Sequence, residues 1–166
     1  MEVIEGTATV EDVDAFVATL GEIGDEHGCA VQAFDARYVV GRDHLERAVA
    51  CADRARAQGE AIADDHAVEI LLYAAGRRQI SQALEMGVAE GECPVAVLVH
   101  GVTESANEGE AAAAVTDLLE PAETLSAYDE ERVRDFFGVS DRELAATDAG
   151  LAALVGERVA LLSVEK

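Results

Sequence analysis

Four histidines, His27, His44, His66 and His100, are the side chains best placed to move protons or bind a metal near neutral pH. His66 and Glu69 stand three residues apart, so on a helix both can reach one ion. A zinc-protease helix would need a further His four residues on, and none is there. The plainer reading is a surface His–Glu pair near a helix start. His44 reads as packed or hydrogen-bonded in the first turn of a helix. His100, before Gly101 at the end of an apolar run, has the position of a site residue but no partner motif. Together His66, Glu69 and His100 define the alternative reading: a small-molecule- or metal-binding enzymatic domain.

Other catalytic signatures are absent. The sequence holds no G-x-S-x-G elbow, no phosphate-binding G-x-x-x-x-G-K-[ST] and no G-x-G-x-x-G after a strand. Thirty-four acidic residues make any single carboxylate pair uninformative. Cys29, Cys51 and Cys93 lie in or beside apolar stretches with no CxxC spacing, which predicts buried, inert thiols in a reducing compartment. No catalytic residue, cofactor or metal site is expected.

The arginines carry more information. Seven of the eleven, Arg37, Arg42, Arg47, Arg54, Arg56, Arg77 and Arg78, fall within residues 37–78, where seven acids balance them. The rest of the chain carries the whole net charge of −22. Arg47 and Arg54, seven apart, share a helix face, and Arg77-Arg78 sits at a bend between helices. Such guanidinium groups either grip phosphates or close ion pairs within the domain.

The elements that position these groups follow from capping and periodicity. Val3-Ile4 predicts a short strand, Val10 to His27 a helix ended near Gly24 and Gly28, and Cys29 to Phe34 a strand that Tyr38-Val39-Val40 continues or pairs with. Asp43 and Glu46 form a capping-box pattern for a helix running to about Gln58, with Gly59 beyond it. Asp64 or Asp65 caps a helix from His66 to Ala75, Gly76 stops it, and a short helix spans Gln79 to Met86. Val95 to Val99 reads as a central strand, followed by helices over Glu110–Leu119, Glu130–Phe137, Asp141–Ala146 and Leu151–Val164. Strands fall among helices without regular βαβ alternation. That predicts an α+β fold: one domain over 1–166, in two layers, with a small, mostly antiparallel or mixed sheet packed with helices. The helix Ala67–Ala75 is apolar all round except at Glu69, so either it is central or a partner protein covers one face.

Composition narrows the class further. Half the residues are hydrophobic but only 4% are aromatic, so Ala, Val and Leu fill the core. A charge of −22 excludes a basic coat for DNA, and one Lys among twelve basic residues suits a chain built for concentrated salt, where screening lengths are about 3 Å at 1 M. No apolar stretch approaches the roughly 20 residues that span a membrane, and the first residues lack the pattern of a signal peptide, which predicts a cytoplasmic protein.

The stretches Phe34-Asp-Ala-Arg-Tyr-Val-Val40, His44-Leu-Glu-Arg-Ala-Val49, Glu69-Ile-Leu-Leu-Tyr-Ala-Ala-Gly76, Gln79-Ile80 and Ala83-Leu84-x-x-Gly87-Val88, with Gly156-Glu-Arg-Val-Ala-Leu-Leu162, resemble the small accessory subunit of the KEOPS complex, the PRPK-binding protein (TPRKB) family, in a halophilic archaeal form. The resemblance implies a non-catalytic subunit that docks on the atypical kinase/ATPase of KEOPS and helps to hold tRNA by its 3′ CCA end during threonylcarbamoyl-adenosine formation. On that reading Ile70, Leu71, Tyr73 and Leu154 face the kinase, and Arg37, Arg47, Arg54, Tyr38, Arg77 and Arg78 face tRNA. One position departs from the family pattern: the residue before Ala61-Ile62-Ala63, Pro or basic in many relatives, is Glu60.

Overall fold

A computed structural model describes residues 1–165. The chain runs β1 (Glu2–Val10), α1 (Val13–His27), β2 (Cys29–Asp35), a 3₁₀ turn (Ala36–Tyr38), α2 (Arg42–Ala57), α3 (His66–Ala75), α4 (Ile80–Ala83), a second 3₁₀ turn (Leu84–Met86) and β3 (Gly91–Gly101). It continues through α5 (Glu108–Thr116), β4 (Glu120–Pro121), α6 (Glu130–Phe137), α7 (Asp141–Ala145) and α8 (Gly150–Glu165). The four strands pair antiparallel in the order β2-β3-β1-β4, so the class is α+β.

β3 is central, and both of its faces are apolar. Val95, Val97 and Val99 point to one side with Val31, Ala33 and Leu20, while Ala96 and Leu98 point to the other with Phe34, Leu72 and Leu154. Each buried Val or Leu contributes about 1.5–3 kcal/mol. A strand apolar on both faces needs cover on both, so α1 and α5 pack on one side and α2, α3, α6 and α8 on the other. The expected two layers are therefore three. β1 is also far longer than Val3-Ile4: it pairs with β3 from Glu2↔Val99 to Val10↔Gly91. Its inward face includes Gly6 and Ala8, small residues that hide the alternation in the sequence.

Local signals set most helix ends. Asp65 caps α3 through the N–H groups of Ala67 and Val68, and Gly76 ends it in the left-handed region at φ 61°, where other residues strain. The expected capping box at Asp43 does not form. α2 starts at Arg42, behind Gly41, with no side-chain cap, and Glu46 pairs with Arg42 at 3.1 Å. Asp43 already lies inside the first turn, too late to cap it. His44 makes a different contact at this end: its Nδ1 accepts the N–H of Val40, the residue before Gly41, at 3.3 Å. The segment around Tyr38 is a 3₁₀ turn rather than a strand, because the Asp35 carboxylate captures the Arg37 backbone N–H at 3.0 Å.

His44 joins two helices. Its Nε2 lies 2.8 Å from the Ala74 carbonyl, so with Nδ1 accepting, the neutral ring donates there and is satisfied at both nitrogens. Burial lowers its pKa from 6.5 to about 4, with the Ala74 carbonyl opposing only in part. Below pH 6.5 the unfolded chain therefore takes up a proton that the folded chain refuses, until about pH 4. Stability falls by about 3 kcal/mol across that window from this residue alone. Chemical denaturation of wild type and His44→Gln at matched pH is expected to show a shallower acid loss in the variant. Parallel profiles would remove His44 as the cause.

Candidate functional site

The apolar residues expected to meet a partner lie inside the chain. Ile70 and Tyr73 are 0% exposed, and Leu71 and Leu154 are also buried. α3 packs between α2, α8 and β2, so its all-round apolar surface is accounted for by its central place. The apolar side chains left on the outside are different ones. Among them, Ile80 opens α4 and Leu84 follows it, exposed four residues apart, and Leu161 and Val164 are exposed three apart at the end of α8. Ser163 lines a shallow cleft of about 430 Å³ with Glu60, Ile62 and Arg78.

The arginines divide into two groups. Arg37 makes a two-pronged pair with buried Asp35, at 3.0 and 2.7 Å, and that hydrogen bond pushes its pKa further up. Arg77 donates to the Phe136 carbonyl at 2.5 Å and lies over the Phe136 ring, 4.6 Å from its centroid. Both are occupied in tying the 3₁₀ turn and the end of α3 to their neighbours. Arg47 and Arg54 are exposed along α2 and have no ion pair or hydrogen bond from their side chains among the described residues. Arg47 lines a cleft of about 460 Å³ between the start of α2 and α8, with Gly41, Arg42, Asp43 and Ala153. A Cβ on Gly156 would stand 3.2 Å from the Arg47 guanidinium, so the bare glycine lets this side chain lie against α8. Arg78 is exposed at the other cleft. Tyr38 and Tyr73 are buried, and the Tyr38 hydroxyl donates to Glu85 at 3.1 Å, so neither ring offers a free face for stacking a base.

His66 and Glu69 do not act together. Glu69 is fully buried and turns to the loop before α3, where its carboxylate accepts the N–H groups of Ile62 and Ala63 at 2.9–3.0 Å. His66 instead meets Asp53 of α2, with Nε2 2.7 Å from Oδ1, and His100 at the end of β3 meets the same carboxylate at 2.9 Å. No sequence signal marked Asp53, which is one of thirty-four acids and is separated by thirteen residues from one histidine and forty-seven from the other.

Residues 10–163 match the model of the family described as kinase binding protein CGI-121. The chain belongs to this family. The match covers nearly the whole chain, from the last residue of β1 into the last turns of α8, and so includes both clefts and the histidine cluster. No curated protein matches the sequence. The family is one of kinase-binding proteins, which fits a binding subunit better than an enzyme. No helix among the described residues is long and apolar enough to cross a membrane.

Proposed function

We propose that this chain is a non-catalytic, cytoplasmic accessory subunit of a KEOPS-type tRNA-modification complex, in a halophilic archaeal setting, that binds the kinase/ATPase subunit and helps to recruit tRNA. The match to a kinase-binding family over residues 10–163 carries the reading. For the kinase, the exposed Leu161 and Val164 at the end of α8 offer apolar surface that the fold leaves uncovered. The test is co-purification of the full chain with its kinase subunit. Leu161→Glu is expected to stay folded and to lower retention at least tenfold. Full retention by that variant would move the docking face elsewhere.

For tRNA, Arg47 and Arg54 are the two guanidinium groups of the arginine-rich segment 37–78 with no side-chain partner among the described residues, and the uncapped start of α2 presents backbone N–H groups beside Arg47. A net charge of −22 repels RNA at long range, so short-range contacts at high salt must supply the binding. Arg47→Glu combined with Arg54→Glu is expected to weaken binding of a CCA-ended tRNA at least tenfold. It should also reduce the slope of log affinity against log salt by about two, one for each lost phosphate contact. Unchanged binding and slope would exclude this face of α2, and equal binding of a tRNA lacking CCA would exclude recognition of that end.

A further inference from the structure

We infer that Asp53, His66 and His100 form a binding site for a divalent transition metal of the zinc, cobalt or nickel class, with Asp53 in the place that the alternative reading of the sequence gave to Glu69. The three residues come from different elements: Asp53 from the outer face of α2, His66 from the first turn of α3, and His100 from the end of β3. One ligand atom from each lies within 4.8 Å of the others. Both imidazoles present Nε2 to one carboxylate, at 2.7 Å for His66 and at 2.9 and 3.1 Å for His100, with ring centroids 6.2 Å apart. His66 is buried, so its ring is aimed by packing rather than free to wander.

The hydrogen bonding argues that these rings have more to do than bind Asp53. Nδ1 of His66 and Nδ1 of His100 are both buried and have no hydrogen-bond partner among the described residues. Neutral rings donating from Nε2 leave two bare lone pairs, and charged rings leave two bare N–H groups. An ion bound to Nε2 fixes the proton on Nδ1 instead. For His100 that proton then faces the Glu108 carboxylate, whose Oε2 is 4.0 Å away and is held by the Gly101 N–H at 2.7 Å. A carboxylate behind a ligating imidazole is the usual orienting arrangement.

Two imidazole nitrogens and one carboxylate oxygen suit zinc-like ions, whereas calcium and magnesium prefer oxygen alone. Ligand bonds of about 2.0–2.2 Å require the present hydrogen-bonded contacts to open slightly around the ion. The cluster forms one wall of an open cleft of about 530 Å³, so a fourth position faces solvent. Arg56, also at the cleft, donates to the Asp64 carbonyl at 2.7 Å. An ion here would clamp α2, the start of α3 and the end of β3 together.

The full chain, stripped with a chelator, is titrated with Zn²⁺ by calorimetry and with Co²⁺ by its visible absorption. Expected are one site per chain, a higher Tm with Zn²⁺, and at least tenfold weaker binding in His100→Gln and Asp53→Asn. His27→Gln, at the C-terminal end of α1 and outside the three-residue cluster, serves as the control for the remaining histidines and should bind as wild type does. His100 is half-buried at a strand end, so its variant keeps the test open where His66→Gln fails to fold. Undiminished Zn²⁺ binding in folded His100→Gln, or Mg²⁺ bound at the same site as tightly as Zn²⁺, overturns the assignment, as does the absence of any binding to wild type.

Discussion

Ile70→Glu is expected to unfold the chain, not to yield a folded protein that has merely lost its kinase. Ile70 is 0% exposed at the centre of α3, among Leu71, Leu72, Leu45 and Val155, all themselves buried. A carboxylate placed there has no donor to meet it and must either stay charged in an apolar interior or take up a proton. Either course costs several kcal/mol, and the lost packing of Ile adds to it. Domains of this size hold about 5–15 kcal/mol in total, so the expected loss of more than about 4 kcal/mol removes much or all of it. Circular dichroism and a denaturant midpoint measure the effect directly. A soluble Ile70→Glu variant with a midpoint close to wild type would show that α3 is not the core helix described here. The contrast with Leu161→Glu is the useful one: the two residues are both aliphatic and both helical, but one is enclosed by its own chain and the other is 46% exposed.

Glu69→Ala is expected to cost about 3 kcal/mol and to loosen the segment before α3. The carboxylate is wholly buried and holds two backbone N–H groups, of Ile62 and Ala63, through contacts of 2.9–3.0 Å. Removing it leaves those donors short of a partner and opens a cavity, losses of about 1–3 kcal/mol for each abandoned polar group before the cavity is counted. Glu69→Gln keeps the volume and one acceptor oxygen but points an amide N–H₂ at a donor, so its loss should fall between Ala and wild type. Denaturant midpoints for the pair, with limited proteolysis across residues 58–65, read both effects. Equal midpoints for wild type and Glu69→Ala would mean that the loop is held by something other than this carboxylate. Glu5 plays a similar part elsewhere, accepting the N–H groups of Thr124 and Leu125 at 2.9 Å each. In so acidic a chain, several carboxylates thus hold loops rather than await a cation.

The sequence by itself determined the elements whose signals are local. Asp65 and Gly76 bracket α3, Glu130 and Phe137 bound α6, and the run Val95–Val99 marks a central strand, because caps and apolar periodicity act within a turn or a few residues. The quoted stretches also sufficed to identify the family. Tertiary structure alone decided which surfaces remain available. It buried Ile70, Leu71, Tyr73 and Leu154, occupied Arg37 and Arg77, left Arg47 and Arg54 without partners among the described residues, and gathered Asp53, His66 and His100 from α2, α3 and β3. The length of β1 was also settled there, by the partner strand β3 rather than by its own modest pattern. The physical reason is common to all of these. Whether a face is covered or a charge is paired depends on groups distant in the chain, and the spacing of residues along one element carries no information about what packs against it.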